Sequence, residues 1–242
     1  MTGNSRFIAL VALFLASATL SAHAAPKRLI ILRHGEKHNA LSLCSVGKER
    51  AQALAAQYLS PTHPLSLLKN DPPAAIMAMT LHTLETARPI AKAWGLTIKT
   101  DPIMLMPIRN NHYFNARLNE VNRKRAIDLM ENPRWFGKTV VLVWEHYHIA
   151  SETLQDEFFG EDATLRQLLN LDKVQGLPPH SVPSTWPNGN YNFFWIFTYD
   201  SPNARVPSSF KIVRQNFQEP YANLPSNDWG APEPLPPDSG CD

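Results

Sequence analysis

The chain has 242 residues, 44% of them hydrophobic, and a formal net charge of +2. Its length suits a single domain with a real core, and no low-complexity block, charge run or repeat interrupts it. So small a net charge, without a basic patch or stripe, argues against a nucleic-acid partner.

Arg6, an apolar and small run over residues 7–20, and Ala22-His23-Ala24 read as an export leader with a small-x-small cleavage site after Ala24. The run is shorter than the ~20 apolar residues of a spanning helix. We therefore expect no stable membrane insertion and a periplasmic or secreted protein, the alternative being an uncleaved anchor. Removing Arg6 takes the formal charge from +2 to +1. The expected organisation is a leader over 1–24, a domain over 25–218 and an irregular Pro-rich tail over 219–242. Cys44 and Cys241 are the two cysteines. An oxidising compartment favours pairing them, with two free thiols as the alternative.

In chain order, residues 29–32 (LIIL) read as a buried strand running into Arg33-His34-Gly35. The spacing of Ala51, Leu54, Ala55, Tyr58 and Leu59 predicts a helix over 45–59, capped by Ser45 and stopped by Pro61. A turn at Asn70-Asp71-Pro72-Pro73 precedes a second strand, 74–79. A helix over 83–94 ends at Gly95, with Pro89 expected to kink or break it. A short third strand is expected at 96–100, then a charged, solvent-facing helix over 115–130. Residues 139–144 (TVVLVW) form the clearest buried strand and run into Glu145-His146. Further strands are expected at 192–198 and 210–213. Strands alternating with helices predict a three-layer α/β/α sandwich around a mainly parallel sheet.

Ligands bind at the carboxyl ends of strands in such sheets. Two buried strands here end in a histidine, so neighbouring strands would bring His34 and His146 to one edge. Phosphoryl transfer needs positioning and donors around the equatorial oxygens. A histidine serves as nucleophile when one ring nitrogen is free and the other is tied to a carbonyl. Arg33 offers a fork of donors for phosphate oxygens, Gly35 allows close approach to the backbone, and His146 adds a further hydrogen bond. Trp144 and Trp195 are expected in the core.

The run Leu32-Arg33-His34-Gly35-Glu36-Lys37 resembles the signature that opens the histidine phosphatase superfamily, which includes phosphoglycerate mutases. The similarity continues through Leu41-Ser42, Gly47, Arg50-Ala51 and Leu54, then Thr80, Thr86-Ala87 and Pro89-Ile90-Ala91. Residues 140–146 with Ile149 resemble the strand carrying the second histidine, in the Trp-Glu-His form of one branch, which Trp186-Pro187 and the 191–197 strand also match. The resemblance implies a phosphoglycerate mutase-like fold and hydrolysis of a small phosphomonoester through phosphohistidine at His34. Arg33 would hold the phosphoryl group and His146 would complete the pocket, without metal or organic cofactor.

The chain departs from that pattern twice. The usual second arginine is His82, a phosphate-binding candidate whose charge depends on pH; either turnover favours mildly acidic conditions, or another cation such as Arg88 or Arg109 compensates, or activity has been lost. No glutamate occurs in residues 101–118, and Tyr147 stands where acid-phosphatase-type relatives carry an aspartate. Glu36 is therefore the first candidate for the proton donor and Glu145 the second, since strand alternation would turn Glu145 away from His146. His38, His112 and His148 are expected to be solvated or in loops. Two other classes compete: a metal-dependent hydrolase built on His34, Glu36, His38, His146 and His148, and a non-catalytic descendant that binds phosphorylated ligands or a partner.

Overall fold

The computed structural model describes residues 24–101 and 111–242. The apolar leader run and Arg109 lie outside those residues. No described helix is long and apolar enough to cross a membrane. Ala24 and Ala25 are buried, their amides donating to the carbonyls of Met130 and Pro202.

Five strands form one sheet: β1 (Arg28–Arg33), β2 (Pro73–Ala78), β3 (Thr139–Trp144), β4 (Phe193–Thr198) and β5 (Ser209–Arg214), in the spatial order β2-β3-β1-β4-β5. β3 is parallel to both β1 and β2, whereas β4 runs antiparallel to its two neighbours. Only β4 therefore runs against the other four strands. The period-two rise of the chain sends alternate side chains to opposite faces. Leu29 and Ile31, Met77, Val140, Leu142 and Trp144, and Trp195 enter one core with Leu118, Val121 and Leu129. Ile30, Leu32, Ile76, Val141, Val143 and Phe194 enter another with Leu54, Ala87 and Ile90. Helices on both faces complete the three layers. Trp144 and Trp195 are fully buried.

α1 (Ser45–Ala56) and α2 (Leu81–Trp94) cover the second face; α3 (Asn111–Glu131), α4 (His146–Ile149), α5 (Glu152–Glu157) and α6 (Leu165–Leu168) follow. Cys44, not Ser45, caps α1; its sulfur accepts from the Gly47 amide, while the Ser45 hydroxyl donates to the Ser239 carbonyl. α2 begins earlier than expected, at a capping box of Thr80 and Thr83, and ends on Gly95 at φ 63°. It runs through Pro89 as one helix. The expected solvent-facing helix α3 buries Leu118, Val121, Asn122, Arg125 and Leu129. These positions recur at three and four residues and form one inward stripe among charged neighbours. The segment expected as a strand at 96–100 makes only one bridge, Met77 to Lys99. Two hydrogen bonds there cover the outer edge of β2 without extending the sheet.

Residues 219–242 contain no helix or strand, yet they are packed against the domain. Cys241 is bonded to Cys44, Leu224 is buried beside Val46, and the Asp242 amide donates to the Lys37 carbonyl.

Candidate active site

β1 and β3 pair from Arg28–Thr139 to Arg33–Trp144 and stop together. The His34 amide then donates to the Trp144 carbonyl, placing the two histidine-bearing turns side by side. The ring centroids of His34 and His146 are 6.3 Å apart, and those of His34 and His82 are 5.4 Å apart. The N-terminus of α2 closes this edge: the Gly35 amide donates to Thr86 Oγ1. Gly35 itself is required for a different reason than substrate access. A Cβ there would lie 2.7 Å from the Gly47 carbonyl oxygen, and one at Gly47 would lie 2.2 Å from that of Glu36. The histidine loop thus lies backbone to backbone on the first turn of α1.

His34 is wholly buried, and its Nδ1 donates to the Gly35 carbonyl at 2.6 Å. That bond assigns the proton to Nδ1 and leaves the lone pair on Nε2. Nε2 faces Glu145 Oε2 at 3.2 Å. Burial lowers the His34 pKa, with Glu145 opposing it and Arg33 reinforcing it. Burial alone would raise Glu145, but His34, the His82 ring and the Thr80 hydroxyl outweigh it and hold the carboxyl well below its usual range. If both partners were deprotonated, two acceptors would face each other at 3.2 Å, so the contact requires a proton or another cation between them. Glu145 Oε1 accepts from Thr80 Oγ1 at 2.5 Å and stands 3.8 Å from His82 Nδ1. Glu145 reaches the pocket because β3 has already ended at Trp144 and the residue caps α4, which breaks the strand alternation expected to turn it away.

Glu36 is placed otherwise. It is fully buried, and its Oε1 accepts from Arg50 Nε and Nη2 at 2.8 and 2.6 Å. Arg50 also donates to Glu233 Oε1 at 3.2 Å and to the Pro225 carbonyl. Burial pushes Glu36 up, but Arg50 and Glu233 outweigh this and keep it low; burial and Glu36 raise Glu233 to about 9. Glu36 is thus held ionised against the Arg50 guanidinium, and Glu233 is the carboxyl that keeps its proton. The expected proton donor is instead a buried strut joining the histidine loop, α1 and the tail.

Arg33 is buried, with its guanidinium 3.8 Å over the Tyr191 ring. Nη2 donates to the Tyr191 hydroxyl at 2.9 Å, and Nη1 donates to the Asn188 carbonyl. His146 Nε2 donates to Asn188 Oδ1 at 2.8 Å. Asn188, which the sequence reading did not single out, thus engages both groups expected to hold phosphoryl oxygens. Trp186-Pro187, just before it, was legible as a branch match, but nothing there marked a pocket contact. Burial, with Arg33 and His34, holds the His146 pKa well below the usual imidazole range. Arg33 Nε, His34 Nε2 and His146 Nδ1 are buried without a hydrogen-bond partner.

His82 Nε2 donates to the Asn39 carbonyl at 2.7 Å. Arg88 lines the groove between α1 and α2 with Lys48 and Glu85, so it does not stand in for the missing arginine. His38 is exposed and bonded to the Gly240 carbonyl, and His112 is exposed against Glu157. His148, expected in a solvated loop, is buried against α3, which lowers its pKa to about 4. The His34–Glu36–His38 cluster expected for a metal hydrolase does not form. His34, Glu145 and His146 instead bring one donor atom each to within 4.8 Å of the others.

No protein-family model matches the chain, and no curated protein does. Among solved structures, a mycobacterial glucosyl-3-phosphoglycerate phosphatase aligns with 79% of this chain and 99% of its own, at 16% identity and a TM-score of 0.44. For a candidate α-ribazole-5'-P phosphatase from Escherichia coli the values are 78%, 97%, 14% and 0.38. A candidate phosphohistidine phosphatase SixA from Agrobacterium tumefaciens is similar over 78% of this chain and 96% of its own, at 13% identity and a TM-score of 0.35.

Proposed function

We propose that this chain is an exported phosphomonoesterase of the histidine phosphatase superfamily, working through phosphohistidine on His34. The observation that carries the reading is the tautomer of His34, whose Nδ1 donates to the Gly35 carbonyl and presents an unprotonated Nε2 in a buried pocket. Around it, Arg33 Nε is an unpartnered buried donor, and buried donors demand acceptors. A phosphoryl group supplies them. To enter, it displaces Asn188 from Arg33 and His146.

The proton moves through the His34–Glu145 contact. Nε2 attacks phosphorus, the P–O bond to the alcohol breaks, and the leaving oxygen takes a proton from Glu145. That proton comes from the incoming substrate monoanion. Water then attacks the phosphoryl group and loses a proton to Glu145; the N–P bond breaks, restoring neutral His34. Glu145 then returns that proton to the departing phosphate, so the net result is the alcohol and the phosphate monoanion, with Glu145 ionised as at the start. His82, whose ring centroid is 5.4 Å from that of His34, is a further donor for the phosphate oxygens. The substrate is a small phosphomonoester.

Rapid-quench labelling with a panel of phosphomonoesters between pH 4 and 8 tests the reading. Acid-labile phosphate is expected on the wild-type protein and not on His34→Ala. A second reading draws on His82 and on Asn188 occupying Arg33 and His146: a binder of phosphorylated ligands without turnover. Absence of label at every pH, with phosphate still binding, would select it.

A further inference from the structure

The three imidazoles of the pocket share one arrangement. His34 Nδ1 donates to the Gly35 carbonyl, His146 Nε2 to the Asn188 amide oxygen, and His82 Nε2 to the Asn39 carbonyl. Each ring therefore has one N–H tied to an oxygen and one nitrogen carrying a lone pair. That is how ligating histidines are oriented around a transition metal, by an outer hydrogen bond that settles tautomer and ring plane. The carboxylate is prepared in the same way, with Thr80 Oγ1 on Glu145 Oε1.

Distances agree with the donor set. His34 Nε2 and Glu145 Oε2 are 3.2 Å apart, close to the ~3.3 Å edge of a tetrahedron with bonds of about 2.0 Å to nitrogen and oxygen. A nitrogen of His146 lies within 4.8 Å of both. His82 Nδ1 lies 3.8 Å from the other oxygen of the same carboxylate, Glu145 Oε1, at the margin of this three-residue set and not within it. Two facing acceptors at His34 and Glu145 need a cation between them, and a divalent ion satisfies that need as well as a proton does. The departure at position 82 is what permits this. An arginine there would set a second fixed charge against the incoming ion, whereas a neutral imidazole offers a lone pair.

We propose that His34, Glu145 and His146, with His82 alongside, bind one divalent transition ion of the zinc class, and that the bound ion shuts off phosphoryl transfer. The ion occupies the lone pair of His34 Nε2, so ligation and nucleophilic attack exclude each other. Inorganic phosphate and zinc should therefore compete. The inhibitory half of this inference rests on the phosphatase reading; the ion site does not.

The test titrates chelator-stripped full-length protein with cobalt(II), read by visible absorption, and with zinc(II), read by calorimetry. We expect one ion per chain, with affinity falling at least 100-fold in His34→Ala, His146→Ala and His82→Arg. A fall of 10- to 100-fold is expected in Thr80→Val, which removes only the outer hydrogen bond. His112→Ala, at the exposed pair with Glu157, should bind as wild type does. Glu145→Gln keeps the shape of the pocket and should weaken binding if the folded His34→Ala protein cannot be obtained. Zinc should inhibit hydrolysis of a phosphomonoester, with relief by chelator. A stoichiometric ion that survives both His34→Ala and His146→Ala, or no binding up to millimolar zinc, overturns the site. Activity that requires the ion overturns the inhibitory role. Ion binding by a protein with no activity at any pH, with or without the ion, would sink the phosphatase reading and leave the ion site standing.

Discussion

Glu145 is the residue on which the proposed chemistry turns, because it alone among the described carboxylates pairs with the nucleophile. Glu145→Gln keeps the hydrogen bond from Thr80 but cannot carry a proton. Its kcat should fall by ~10²- to 10⁴-fold, the usual worth of a positioned acid–base group. The acid limb of the pH–rate profile should flatten with it; a profile of wild-type shape would assign proton transfer elsewhere. Asn188 is the complementary case. Its side-chain oxygen competes with phosphate for His146, and a typical hydrogen bond contributes about 1 kcal/mol net. Asn188→Ala should therefore tighten binding of inorganic phosphate by roughly fivefold. Calorimetry with phosphate on the metal-free protein checks this, and weaker binding would mean that Asn188 helps to hold the ligand.

At the scale of elements, the Glu36–Arg50–Glu233 cluster ties the histidine loop to α1 and to the tail. Removing one partner of a buried ion pair costs roughly 3–5 kcal/mol because an uncompensated charge stays behind. Glu36→Gln should therefore lower the unfolding midpoint sharply while leaving the pH–rate profile in place, since the side chain is committed to Arg50. Loss of turnover in the folded variant, with the stability intact, would restore Glu36 as the proton donor. The same cluster explains how the tail bears on the pocket. Gly189, next to Asn188, leaves room for the Ala231 carbonyl 3.2 Å from where a Cβ would stand, and Asn227 Nδ2 donates to both the Gly189 and Ala231 carbonyls. The tail thus backs the loop that closes over Arg33.

For the whole molecule, the Cys44–Cys241 bond closes a loop across 197 positions, which anchors the tail on the capping residue of α1. Stability should also depend on pH through His148. Its folded pKa of about 4 lies below the ~6.5 of an unfolded histidine. Between those values the unfolded chain binds the extra proton, so stability falls as pH drops from about 6.5 to about 4. The size is on the order of 3 kcal/mol. Denaturant unfolding at pH 7 and pH 4.5 should show that loss, reduced in His148→Phe; an unchanged difference would place the acid sensitivity elsewhere.

Much of the architecture was legible in the chain itself. β1 and β3 each carry a short apolar run, residues 29–32 and 140–144, flanked by polar residues, and period-two alternation assigns those side chains to two cores without any knowledge of the partner strands. The two strands that run into His34 and His146 likewise pointed to one edge of the sheet, given that they are neighbours, as the pairing of β1 with β3 makes them. What the sequence could not determine were the choices made by packing. Which glutamate meets His34 depends on where β3 stops and α4 starts, a matter of one residue. Whether Glu36 faces the pocket depends on Arg50 and Glu233, 14 and 197 positions away in the chain. Asn188 reaches Arg33 only because the tail holds its loop there. Local periodicity reports burial, whereas hydrogen-bond partners between distant segments exist only once the chain has closed on itself.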